Sequence, residues 1–240
     1  MTTVISIHSF RGGTGKSNTS SNIAGQLAAA GNRVAVVDTD IQSPGIHVLF
    51  GFSDDLDNTL NDYLWGKIPI AQAAHEVTDR VSGSTPVAEG GALYLIPSSM
   101  KSGDIARVLR EGYDVGTLND GFRDLARDLQ LDYLLIDTHP GLNEETLLSI
   151  TISDVLLLLM RPDRQDFQGT AVTVDVARKL GVPELFLIIN KVPSNIDSVD
   201  LREQMTQIYG DEVAAILPLA EDVVQNASEG LFSLTSPDHP

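Results

Sequence analysis

Cysteine is absent from the 240 residues, which removes disulfides, thiolate metal centres and cysteine nucleophiles together. Cations are scarce as well: 16 Lys and Arg face 33 Asp and Glu, a formal net charge of −17. A balance this acidic argues against a broad electrostatic grip on DNA or anionic lipid. Long apolar runs are also missing. The longest, Val155 to Met160, is far too short to cross a bilayer. The first residues read as a strand and a loop where a signal peptide would carry a basic and then an apolar region. A cytoplasmic protein without membrane insertion is therefore expected. Ser228 to Pro240 holds no Lys or Arg, so no basic amphipathic membrane helix is expected there.

What is present is an apolar content of 42%, sufficient for a full core. Apolar β-branched runs mark strands at Val4–His8, Arg33–Asp38, Leu93–Ile96, Tyr133–Asp137, Val155–Met160, Leu185–Asn190 and Ala214–Leu217. Helical periods lie between them, at Ser17–Ala30, Gly103–Glu111, Gly116–Leu129, Glu144–Ile152, Asp166–Leu180, Ser198–Tyr209 and Glu221–Ser228. Gly31 and Gly181 stand where helices should stop. This alternation predicts a single doubly wound α/β domain over 1–240, with a mostly parallel sheet of roughly seven to eight strands flanked by helices. The stretch at about 51–91 is irregular and acidic. Within it Thr59–Trp65 reads as a short amphipathic piece whose Leu60, Leu64 and Trp65 share one face, expected as a small satellite core, with a partner groove as the alternative. Gly83-Ser84-Thr85-Pro86 and Glu89-Gly90-Gly91 read as turns around an exposed hairpin or loop.

The most informative segment is Ser9-Phe10-Arg11-Gly12-Gly13-Thr14-Gly15-Lys16-Ser17, directly after the first strand. Its glycines let the backbone wrap close to an anion, with N–H groups aimed at phosphate oxygens. Lys16 supplies a point charge for the β- and γ-phosphates, and the Ser17 hydroxyl is an oxygen donor for Mg²⁺. The helix that follows turns its positive end to the same anion. Gly12, Gly13, Thr14, Gly15, Lys16, Ser17 and Asn18 are the expected nucleotide cradle.

Strand ends carry the remaining chemistry, because ligands of parallel sheets sit at the C-terminal ends of the strands. Val36-Val37-Asp38-Thr39-Asp40 ends with two carboxylates, suited to Mg²⁺ and its waters. Leu134-Leu135-Ile136-Asp137 ends with a carboxylate that can hold Mg²⁺, directly or through water. It runs into Thr138-His139-Pro140-Gly141, a turn able to move when a γ-phosphate leaves. His139 is read as structural in that turn, with phosphate sensing as the alternative. Ile188-Ile189-Asn190-Lys191 closes a further strand, and Leu217-Pro218 follows the last one.

Taken in order, these motifs resemble the MinD/ParA family of deviant Walker A ATPases, whose loop reads Lys-Gly-Gly-x-Gly-Lys-Ser/Thr. The resemblance spans nearly the whole chain. It implies ATP and Mg²⁺ as ligands, Asp38 and Asp137 at the metal beside Ser17, and Asp40 orienting the attacking water. It also implies Asn190 at the adenine edge, Pro218 completing the base pocket and Asp163 near the ribose. The family's signature lysine reaches the partner's nucleotide across a dimer. Here that position is Arg11, a departure similar to the carboxysome-positioning McdA branch, and Arg11 is expected to act in trans. Zero cysteines set the chain apart from the iron–sulfur and arsenite-pump relatives. The implied function is a slow ATPase that dimerises around ATP to position or partition a cargo, assisted by an adaptor or activator protein. Non-specific DNA binding would have to use Arg107, Arg110, Arg123 and Arg127, which read as ordinary solvated helix residues. An ATP-dependent ligase of the dethiobiotin synthetase type is the alternative.

Overall fold

The computed structural model describes residues 1–81, 86–226 and 229–239. Its strands are β1 (Thr3–His8), β2 (Arg33–Asp38), β3 (His75–Glu76), β4 (Ala92–Ile96), β5 (Tyr133–Asp137), β6 (Val155–Met160), β7 (Glu184–Val192) and β8 (Glu212–Pro218). They form one sheet in the order β3-β4-β2-β5-β1-β6-β7-β8. Every pairing is parallel except β3 with β4, a two-residue antiparallel edge that no apolar run announces. The helices are α1 (Lys16–Ala29), α2 (Leu60–Leu64), α3 (Thr78–Val81), α4 (Ser102–Glu111), α5 (Val115–Asp128), α6 (Glu144–Ile152), α7 (Arg164–Leu180), α8 (Ser198–Tyr209), α9 (Glu221–Gln225) and α10 (Phe232–Thr235). This is the doubly wound α/β fold that the alternation predicts.

Alternate residues of each central strand feed opposite cores, as a pleated sheet buried on both faces requires. Val34, Val36, Leu93, Leu95 and Leu135 pack with Ala24 and Ala28 of α1 on one face. Ala35, Val37, Leu134 and Ile136 pack with Leu118, Phe122 and Leu125 of α5 on the other. β6 and β7 continue that second layer against Val174 and Ala177 of α7 and Leu201 and Met205 of α8. Register then brings the functional ends together: Asp38 stands beside Asp137 on neighbouring strands, with Ile7 of β1 beside Asp137 on its other side.

Differences from expectation are local. Leu60 is fully buried and, with Leu64 and Trp65 packed around it, joins the core over Leu134 and Ile136; it is not a satellite. Thr59 and Asp62 close a reciprocal capping box at the start of α2, which fixes this short helix. Gly83, Ser84 and Thr85 lie outside the described residues, as do Ala227 and Ser228 beyond α9. Glu89-Gly90-Gly91 does turn, but its surroundings are tied to the end of α1, with the Ala88 amide donating to the Ala29 carbonyl at 3.1 Å.

Gly91 lies so close to α1 that an added Cβ would meet the Ala28 carbonyl oxygen at 2.3 Å. Backbone cannot swing aside as a side chain can. Gly91→Ala should therefore cost about 2–3 kcal/mol, read in urea as a lower midpoint with an unchanged slope.

Candidate nucleotide site

α5, α6, α7 and α8 begin with an Asp or Asn side chain that accepts from first-turn amides: Asp114, Asn143, Asp163 and Asp197. α4 lacks such a cap but carries Asp104 in its first turn. α1 has neither. Its N-cap is Gly15 at φ 101°, with no side-chain cap and no acid in the first turn. First-turn N–H groups left without a side chain suit an anion from solution. Gly13 is also left-handed, at φ 77°, so the loop takes turns that a residue with a Cβ would resist. The Thr14 hydroxyl is buried and has no partner in the protein.

The loop is gripped from β7. The Asn190 side-chain amide donates to the Thr14 carbonyl at 2.8 Å, and Lys191 Nζ donates to the Gly13 carbonyl at 2.8 Å. Lys191 adopts φ 60°, a conformation costly for a side-chain-bearing residue. A Cβ on Gly15 would lie 2.5 Å from Asn190 Nδ2, so a larger residue there would strain φ and displace the Asn190 amide from the loop. Tying up two loop carbonyls removes competing acceptors from a segment whose N–H groups are to meet phosphate. Asn190, expected at an adenine edge, thus stands against the loop, its oxygen accepting from the Lys191 amide. Pro218 ends β8, paired in register with Val192 at the end of β7. Asn18 is exposed in the first turn of α1. Lys191 could not be assigned from sequence, because nothing in it marks a left-handed lysine.

At the strand ends, charge is buried. Lys16 is 7% exposed, and its ammonium donates to Ser9 Oγ at 3.1 Å. Burial draws its pKa below the usual lysine value, against the opposing pull of Asp137, Asp40 and Asp38. Asp137 accepts from Ser20 at 2.9 Å and from Ser17. Burial pushes it up to about 6, partly offset by Ser17, Lys16 and Ser20. Asp38 is driven well above the carboxylate range by burial first and then by Asp137 and Asp40. The amides of Asp40 and Gly45 donate to it at 3.0 and 3.3 Å. Asp40 is raised by partial burial. One ammonium facing three carboxylates leaves the cluster short of positive charge, and a divalent cation would supply it. The donors Ser17, Asp38 and Asp137 are hard oxygens, the class Mg²⁺ prefers. Among the described residues no group of three or more His, Cys, Asp or Glu side chains forms a metal cage.

His8, at the end of β1, lies beneath the loop. Thr138 Oγ1 donates to the Ile7 carbonyl, so His8 Nδ1 donates to Thr138 at 2.7 Å and Nε2 is a buried acceptor without a partner. Burial, reinforced by Lys16, holds this imidazole down to about 3, and it stays neutral. Phe10 and Arg11 lean on α7. A Cβ on Gly169 would overlap the Phe10 ring at 2.1 Å. Arg11 lies 3.4 Å from Asp166 and 3.7 Å from Asp163. Asp166 is buried and already bonded by Arg161 through Nε at 2.9 Å and the backbone amide at 3.0 Å. Asp163 therefore caps α7 and meets Arg11.

As a metal ligand, Asp137 would have opposite requirements for folding and for the cation. Its folded pKa of about 6 exceeds the 3.8 of an unperturbed carboxyl, so between those values the native state binds more protons than the unfolded chain. Its contribution to stability is favourable below about pH 4 and is lost as pH rises through about 6. Asp137→Asn should stabilise the nucleotide-free protein at pH 7.5 by about 1–3 kcal/mol while abolishing the Mg²⁺ dependence of nucleotide binding. In the wild type, Mg²⁺-dependent affinity should fall below about pH 6. Thermal melting and fluorescent-nucleotide titration with and without Mg²⁺ check both.

A model of the CobQ/CobB/MinD/ParA nucleotide binding domain matches residues 5–234. An uncharacterized ATP-binding protein of Methanocaldococcus jannaschii is 27% identical over 241 residues, covering 100% of this chain and 83% of its own. The septum site-determining protein MinD of Pyrococcus horikoshii, solved with Mg-ADP, superposes with a TM-score of 0.80 at 23% identity, over 100% of this chain and 90% of that one. A Cyanothece McdA variant solved with ATP gives 0.74 at 20% identity, over 99% and 92%. Because that family model spans nearly the whole chain, the chain belongs to the CobQ/CobB/MinD/ParA nucleotide-binding family.

Proposed function

We propose that this protein is an ATP-driven dimerisation switch that binds and slowly hydrolyses ATP with Mg²⁺, used to position or partition a cargo inside the cell. The observation that carries the reading is the charge arrangement at α1: an uncapped helix end over a buried ammonium and paired carboxylates, built for a triphosphate and a divalent cation. Lys16 would hold the β- and γ-phosphates, and Asp38, Asp137 and Ser17 the metal shell. Asp40, partly open to solvent, would orient the attacking water. When bound, Mg²⁺ would neutralise phosphate charge.

Arg11 is the group for the second subunit. Its contacts to Asp163 and Asp166 are long, and its side chain is 39% exposed, so releasing it costs little. Asp166 keeps Arg161 when Arg11 leaves. A guanidinium can then bind two phosphate oxygens of the partner's nucleotide, in the manner of an arginine finger.

The ligase alternative needs a second-substrate site with its own chemistry beside the γ-phosphate, and the Arg11-Gly12-Gly13 loop favours the dimeric reading over it. Direct DNA contact is disfavoured too. Arg107, Arg110, Arg123 and Arg127 each pair with an acid on their own helix. Such a surface suits a basic adaptor protein better than a polyanion. Among the described residues no helix is long and apolar enough to cross a membrane.

Sizing the protein with Mg-ADP and with Mg²⁺ plus a non-hydrolysable ATP analogue tests the switch. It should move from monomer to dimer only with the analogue. Arg11→Ala should lose the dimer and reduce turnover at least tenfold while keeping ADP affinity. Asp40→Ala should trap the ATP dimer. Turnover unaffected by Arg11→Ala, or activity that requires an added metabolite, contradicts the reading.

A further inference from the structure

Asp40 and His139 belong to different switch segments, one after β2 and one after β5, and their side chains meet. Asp40 Oδ1 lies 3.8 Å from His139 Nε2. The other ring nitrogen, Nδ1, is 2.7 Å from the Pro140 carbonyl. A carbonyl only accepts, so Nδ1 carries a proton, and in the tautomer with that one proton Nε2 presents a lone pair. Asp40 Oδ1 is also an acceptor, fixed by the Ser43 amide at 3.1 Å. Two acceptors 3.8 Å apart are too distant for a direct hydrogen bond and share no proton. A single water between them can donate one hydrogen to each. Solvent reaches the pair, since the side chains are 25% and 18% exposed.

We propose that His139 is a catalytic residue whose task is orientation: with Asp40 it grips the attacking water by both hydrogens and frees its oxygen lone pair for the γ-phosphorus. This deepens the ATPase reading and rests on it. The water oxygen forms a bond to the γ-phosphorus, and the bond from that phosphorus to the β–γ bridging oxygen breaks, its electron pair leaving with ADP. One water proton passes to Asp40 and on to solvent. The other stays on the phosphate hydroxyl, still bonded to Nε2. A carboxylate alone fixes one hydrogen of a water and leaves it free to rotate; the imidazole removes that freedom.

The test measures kcat, KM, ADP affinity and retention of ADP with aluminium fluoride, a mimic of the in-line transition state, in His139→Ala, His139→Gln and Asp40→Ala. His139→Ala should lower kcat about a hundredfold and weaken aluminium fluoride retention, with KM and ADP affinity within about twofold of wild type. His139→Gln, whose amide oxygen restores an acceptor, should recover about tenfold of that loss. An unchanged kcat in His139→Ala, a Gln variant no better than Ala, or a parallel loss of ADP affinity overturns the inference. If Asp40→Ala slows turnover while His139→Ala does not, only the role of His139 falls. If the wild type shows no turnover, or Asp40→Ala leaves it unchanged, the hydrolysis reading falls with it.

Discussion

The ammonium of Lys16, buried between the phosphate loop and the carboxylates at the ends of β2 and β5, is the contact on which the rest of the structure turns. Burying a charge is costly unless partners stand close, and here the partners are in excess: Asp38 and Asp137 are both inside and adjacent in register. The result is a cluster that cannot ionise fully without help. Both carboxyls are pushed up in pKa, and Lys16 is drawn down. On the proposed reading, a triphosphate with its divalent cation would change that balance, giving Lys16 an anion and the carboxylates a metal. Ligand binding and electrostatic relief would then be one event.

The fold sets the stage for this cluster. β1 sits between β5 and β6, while its crossover helix α1 leads to β2, on the far side of β5. That change of direction opens a crevice at the strand ends. The switch segments after β2 and β5 leave the sheet next to each other, which is why Asp40 and His139 can meet although far apart in sequence. On the other side, β7 holds the loop through Asn190 and Lys191, and α7 holds Arg11 through Asp163 and Asp166. The loop is thus braced from both sides.

Much of this was legible in the chain. The loop, the Asp endings of β2 and β5 and the helix stops at Gly31 and Gly181 are written in local patterns, because short-range sterics and strand-end geometry fix them. The β3 edge was not legible, since two residues pair there only because β4 offers an open side. Nor was the burial of Leu60, which depends on where the 51–91 region lands. Asn190 illustrates a deeper limit: its position at a strand end is readable, but its bond to the Thr14 carbonyl depends on tertiary approach. Lys191 and Asp166 became visible only when the loop and α7 came within reach of them. The pairing of His139 with Asp40 likewise needed two distant segments brought together.

The most direct measurement is calorimetric titration of the protein with ATP in the presence and absence of Mg²⁺, repeated with Lys16→Ala. The account predicts one nucleotide per chain, bound more tightly with the metal, and loss of that binding in the variant. No heat of binding with Mg²⁺ present, or equal affinity in Lys16→Ala, would contradict it.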